Sequence, residues 1–213
     1  MSLVVDMYTL GLIGTNCYVV RSAPDAPEAV VIDPGADGAA LQAELDRLGA
    51  RCAAILLTHT HWDHLGGVAE LAEATRAPVY VSREAAPALA HPRPSVPGLS
   101  IRGWSEVEHL QGGQALGAGG IEFEVLDVPG HAPGHVAFAA DGSLFSGDVL
   151  FAGSVGRVDV PGGDWETLLA SIRLLAERFP PETTVYSGHG RPTTLGIELE
   201  RNPFLAELRT ARR

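Results

Sequence analysis

Thr58-His-Thr-His-Trp-Asp-His-Leu-Gly-Gly67 is the stretch on which the reading of this chain turns. The apolar run Ala53-Ala54-Ile55-Leu56-Leu57 leads into it and reads as a short buried strand. Val68, Leu71 and Thr75 follow at the spacing of one helix face. Where a strand end opens into a helix start, backbone direction and side chains converge on a point that suits an ion. His59 and His61 lie two apart, so on extended backbone both imidazoles project to one side and can grip one cation. Asp63 and His64 add a carboxylate and a further imidazole at the turn into the helix. A polar turn holding three histidines without a ligand is the plainer possibility, and the density of donors argues against it.

Composition narrows the class. At 213 residues, 46% hydrophobic and 19% charged, the chain can bury a full core. No Ser/Gly linker or composition shift divides it, so one domain over residues 1–213 is the expectation. A net charge of −11 argues against a surface that tracks phosphates, and no nucleic-acid partner is expected. No apolar run reaches the length of a membrane span, and no basic cluster precedes an apolar stretch near the N-terminus. The expectation is therefore a cytoplasmic protein with no membrane partner. Composition is silent on oligomeric state. Cys17 and Cys52 make no disulfide framework and read as small buried hydrophobes. All 15 basic residues are arginine, which excludes a Schiff-base lysine.

Around the motif, Leu3-Val4-Val5, Cys17 to Val20 and Ala29 to Ile32 read as strands, the first two joined through Gly11 to Gly14. Asp37 is the expected cap of a helix striped by Leu41, Leu45 and Leu48 and stopped by Gly49. Val79 to Val81 is a short strand. The proline-rich stretch from Glu84 to Ser105 reads as a surface loop, with His91, and His109 just beyond it, as ordinary histidines. Ile121 to Val128 is a strand, and Val136 to Phe145 is a hairpin across Asp141-Gly142. Asp164 begins a helix facing the core through Leu168, Leu169, Ile172, Leu175 and Phe179. Thr184 to Tyr186 is a strand, and Leu195 to Arg213 forms one or two short helices.

The second half supplies further donors, each just past a strand: His131 after Val128, Asp148 after Phe145, His189 after Tyr186. Strand ends at one sheet edge meet in space however distant they are in sequence. With the first motif this makes five imidazoles and two carboxylates. One zinc takes three or four ligands, so seven fit a pair of metals, with Asp148 as the natural bridge.

His-x-His-x-Asp-His, then Pro-Gly-His131, Gly-Asp148 and Gly-His189-Gly190, in that order, resembles the metallo-β-lactamase superfamily. The resemblance implies an α/β four-layer αββα sandwich with a dinuclear site at one edge. It implies that His59, His61 and His131 hold one metal, that Asp63, His64 and His189 hold the other, and that Asp148 joins them. Asp33, in Ile-Asp-Pro-Gly, matches an acidic position of the family and is expected behind the ligands. Ser146 to Asp164 is similar to the glyoxalase II (hydroxyacylglutathione hydrolase) branch, and Asn202-Pro-Phe-Leu205 resembles its short bacterial members. The longer members carry a C-terminal helical segment whose basic residues bind glutathione. This sequence ends at Arg213 without a lysine, so thioesterase chemistry is better supported than glutathione specificity.

The expected partner is thus a small-molecule thioester, and the expected cofactors are two divalent ions, zinc first, with iron and manganese suiting the same donors. Asp63 is expected to orient the nucleophile as well as bind metal. His135, four past His131, is assigned a hydrogen-bonding role because the ligand set is already full. Arg157 either braces a loop with Asp159 or meets a substrate carboxylate. Persulfide dioxygenases are similar too and hold one iron, here through His59, His131 and Asp148. A lactone or phosphoester hydrolase could use the same site, and a metal-binding module without catalysis could carry the same donors.

Overall fold

The computed structural model describes residues 3–210; the ends of the expected domain and of the expected C-terminal helices, with Arg213, lie outside the described residues. The first half lays down β1 (Val4–Leu10), β2 (Thr15–Arg21), β3 (Glu28–Ile32), α1 (Gly38–Leu48), β4 (Arg51–Leu56), α2 (Trp62–Leu65), α3 (Val68–Thr75), β5 (Val79–Ser82), α4 (Ala86–Ala90) and β6 (Val107–Leu110). Its six strands form one sheet in chain order. The second half follows with β7 (Ala115–Ala118), β8 (Ile121–Asp127), β9 (Val136–Ala140), β10 (Ser143–Gly147), β11 (Leu150–Phe151), β12 (Ser154–Val155), α5 (Trp165–Arg178), β13 (Thr184–Ser187), β14 (Thr193–Thr194), α6 (Leu195–Arg201) and α7 (Ala206–Thr210). Its main sheet runs β14-β13-β10-β9-β8-β7, with β11 and β12 as a separate small ribbon.

Side-chain alternation explains the layering. In β2 and β3, Cys17, Val19, Ala29 and Val31 point to a core shared with Leu41, Leu45 and Leu71 of α1 and α3. Their neighbours Tyr18, Val20, Val30 and Ile32 point the other way, against Phe123, Val125, Phe138 and Phe145 of the second sheet. The far face of that sheet packs Ala137, Ala139 and Leu144 on Leu168, Ile172 and Leu175 of α5. Three cores separate four layers, helix, sheet, sheet, helix. Cys17 to Val20 of β2 and Ala29 to Ile32 of β3 are buried on both faces, which is why they read as continuous apolar runs.

Some local expectations change. Asp37 stands before α1 in the left-handed region (φ 52°) and makes no side-chain cap; the Ala39 N–H donates instead to Glu70 of α3 at 3.1 Å. The helix expected after the histidine motif forms as α3, and a further short helix, α2, lies within the motif ahead of Gly66-Gly67. The stretch expected to be loop contains α4, with Pro87 in its first turn, where a missing N–H costs nothing. Asp164 does cap α5, accepting from the Thr167 N–H at 2.8 Å. The hairpin across Asp141-Gly142 forms as expected, Ala140 opposite Ser143.

Pairing brings the polar strand ends to one edge. β3 runs parallel to β4, and β10 parallel to β13. β8 runs with β10, because each is antiparallel to β9. The Val136 N–H donates to the Thr58 carbonyl at 2.8 Å, tying the end of the first sheet's β4 to the start of the second's β9.

Candidate metal centre

At that edge the histidines and aspartates converge in two groups. His59 Nε2 and His131 Nε2 lie 3.1 Å and 2.8 Å from His61 Nδ1. His64 Nε2 lies 3.4 Å, and His189 Nε2 3.3 Å, from Asp63 Oδ2. Each group forms a cluster capable of holding a metal ion. Asp148 stands between them: its Oδ2 is 3.6 Å from His131 Nε2 and 3.5 Å from His189 Nε2, and its Oδ1 is 3.4 Å from His64 Nε2.

The partners of the outer ring nitrogens fix which nitrogen is free. The carbonyl of Arg157 can only accept, so His131 Nδ1 donates to it at 2.8 Å and Nε2 keeps its lone pair. Thr58 Oγ1 donates to Asp33 Oδ2 at 2.6 Å and therefore accepts from His59 Nδ1 at 3.1 Å, which frees His59 Nε2. Asp33 Oδ2 also takes the His64 Nδ1 proton at 3.0 Å, turning His64 Nε2 inward. Asp33 thus bonds to the outer nitrogen of His64 and, through Thr58, is linked to that of His59, and it also clusters closely with both histidines. Asp63 Oδ2 accepts from Thr15 Oγ1 at 2.7 Å.

The two groups differ electrostatically. Burial, reinforced by neighbouring imidazoles, keeps His59 far below its ordinary value and His61 at about 4, so both are neutral at pH 7. In the second group burial opposes charge. Burial pushes the Asp63 carboxyl up, but His189 and His64 outweigh it and leave it at about 2. Burial pulls His189 down, and Asp148 and Asp63 override that to hold it at about 9.

Two features test whether this donor set fits metal. His64 Nε2 and Asp148 Oδ1, 3.4 Å apart, are buried without a hydrogen-bond partner among the described residues. Such orphans are costly unless something fills the gap between them. Beside them, a Cβ on Gly188 would fall 2.1 Å from Asp148 Oδ1 and 2.5 Å from His64 Cε1, so this position has room only for glycine. The set fits a metal pair.

His135 is buried, stacks on His59 (centroids 4.6 Å apart, 13° between planes) and accepts the Asp148 N–H at 3.2 Å, in keeping with a hydrogen-bonding role. Arg157 reaches the site through its carbonyl, while its guanidinium makes two bonds, 2.7 and 2.8 Å, to Asp159 in the open. His91 and His109 are exposed, away from the cluster.

Several supporting residues escaped the sequence reading. Asn16 Nδ2 donates to the carbonyls of Ser187 (3.0 Å) and Gly190 (2.7 Å), and Tyr18 Oη donates to Ser187 O at 2.6 Å. These bonds hold the loop that carries His189. A hydroxyl or amide at a strand start has no periodicity to betray it; only the isolated pairing of Thr15 with His189 exposes its place.

The family profile of the metallo-β-lactamase superfamily matches residues 10–189. A hydroxyacylglutathione hydrolase, GloC, of Haemophilus influenzae is 35% identical over 89% of this chain and 92% of its own. The crystal structure of BLEG-1, a B3 metallo-β-lactamase, superposes with a TM-score of 0.89 at 40% identity, covering 95% of this chain and all of that one. TTHA1623, in a di-iron-bound form, superposes at 0.80 and 41% identity over 94% of this chain and all of that one. With the αββα layers, the edge-on donor cluster and the profile in agreement, the chain belongs to the metallo-β-lactamase superfamily.

Proposed function

We propose that this chain is a dinuclear metallohydrolase that cleaves a thioester of the hydroxyacylglutathione type. The observation that carries the reading is Asp148, one carboxylate oxygen of which lies near His131 of the first group and His189 of the second. In this reading His59, His61 and His131 would hold one ion, Asp63, His64 and His189 the other, and Asp148 would join the two groups. When bound, a pair of divalent ions would supply a water of lowered pKa, from about 15.7 towards 7, and a Lewis acid for the scissile carbonyl.

The side chains do the rest. Asp63, held ionised and anchored by Thr15, accepts a hydrogen bond from the attacking water and orients it. Asp33 and Thr58 keep His64 and His59 in the tautomers that leave the inner nitrogens free. His189, 28% exposed at its side chain, borders the open side by which substrate enters. The leaving thiol has a pKa of about 8.5 and departs as thiolate, so the absence of a free acid from the cluster is no obstacle. The exposed pair with Asp159 is readily exchanged, and Arg157 turns from it to a substrate carboxylate. Zinc is the first candidate for both positions; the di-iron relative makes iron the second. The substrate is a cytoplasmic thioester.

The test is elemental analysis of protein purified without added metal, followed by a substrate panel. About two metal ions per chain and release of free thiol from S-lactoylglutathione are expected. Asp148→Ala should lose metal and turnover together, beyond the roughly 10–100-fold typical of losing an outer partner. A single iron with oxygen uptake on glutathione persulfide would overturn the reading in favour of a dioxygenase. Turnover confined to a β-lactam, a lactone or a phosphoester would overturn the substrate class.

A further inference from the structure

Two buried polar side chains near the C-terminus lie outside the ligand set, Glu198 at 2% exposure and Asn202 at 0%. Glu198 Oε2 accepts from the Gly153 N–H and from Asn202 Nδ2, both at 2.8 Å, while its Oε1 accepts from Thr193 Oγ1 at 2.6 Å. Asn202 Nδ2 also donates to the Ser154 carbonyl at 2.8 Å, and its Oδ1 accepts from the Phe204 N–H at 3.1 Å. The bonds to Gly153 and Ser154 meet at the tip of the β11–β12 ribbon, where Gly153 turns with φ 76°.

That ribbon carries the metal edge on both flanks. Asp148 stands two residues before Leu150, and Arg157, whose carbonyl fixes the His131 tautomer, stands two after Val155. The Phe151 ring meets the His189 ring at 6.0 Å. Two strands of two residues each cannot hold such a shape unaided, since even longer isolated hairpins are marginal in water. A carboxylate meeting three donors and an amide meeting carbonyls supply what the ribbon lacks.

We propose that Glu198 and Asn202 are positioning residues of the metal centre: by clamping the tip of the ribbon they set Asp148, the Arg157 carbonyl and Phe151 around the ions. The inference rests on the reading that this cluster binds metal. A purely structural role would lower the melting temperature and leave metal binding by the folded protein unchanged.

The experiment measures cobalt(II) affinity by chelator competition, and the visible spectrum of the bound cobalt, at a temperature where circular dichroism shows each protein folded. Asn202→Ala should bind cobalt about tenfold or more weakly with an altered spectrum. Glu198→Gln, which sets an NH2 against a donor, should move in the same direction less far, and it decides the question alone if Asn202→Ala does not fold. Leu175→Ala, a core change in α5, should lower the melting temperature while keeping the wild-type affinity and spectrum. Folded Glu198 and Asn202 variants with wild-type affinity and spectrum would overturn the clamp and leave the metal centre standing. Wild-type protein that takes up no cobalt would overturn the metal centre and the clamp with it.

Discussion

Asp33 shows how much one residue can settle. Its two oxygens accept from the Thr58 N–H, the Thr58 hydroxyl and His64 Nδ1–H, so it orients His64 directly and His59 through Thr58. The imidazoles it helps arrange pull stability in opposite directions with pH. His61, lowered to about 4, contributes fully above the unfolded value of about 6.5 and loses that contribution as pH falls towards 4. His189, raised to about 9, contributes fully below about 6.5 and loses that contribution as pH rises through 9. Metal-free protein should therefore melt highest near pH 6.5, with the midpoint falling on both sides. A midpoint that climbed steadily from pH 6 to 9 would contradict these assignments. The convergence of the seven candidate donors was legible because histidine and aspartate carry their chemistry in their names. Thr15, Asn16 and Thr58 were not, since their roles exist only across 48, 171 and 25 residues of sequence.

At the level of elements, apolar runs flanked by turn residues were readable, and they mark β2, β3, β4, β8, β9 and β10. What escaped was short or counter to local preference. α4 has five residues, and its proline, read as a breaker, sits in the helix's first turn. β7 carries a glycine mid-strand, and the β11–β12 ribbon has only two residues in each strand and is bonded at its tip to Glu198 of α6. The turn between β8 and β9 shows why one glycine is demanded. Gly130 has φ 120°, and a Cβ there would fall 2.2 Å from the backbone nitrogen of Leu168 in α5. Gly130→Ala should thus force this turn off α5, lower the melting temperature and weaken metal binding through His131. An alanine variant with unchanged metal content and midpoint would show that the approach is slack.

The whole molecule is two sheet-and-helix halves whose inner faces share an aromatic core. The layer order followed from the family resemblance; strand and helix order was compatible with it but would not have produced it unaided. Periodicity says which faces are buried and leaves open what covers them. The two halves also divide the ligands. His59, His61, Asp63 and His64 come from the first, and His131, Asp148 and His189 from the second, so the two groups that flank Asp148 are each drawn from both. An ion bound there acts as a rivet through the seam between the halves. Its binding energy becomes cohesion, worth about 2.7 kcal/mol at a free concentration 100 times the dissociation constant, or roughly 5–10 °C in midpoint for a chain of this size. Equal midpoints for chelated and zinc-loaded protein would mean that the seam holds without it. Otherwise, in the proposed dinuclear enzyme, stripping the ions would both silence the protein and unfasten it along the line where its halves meet.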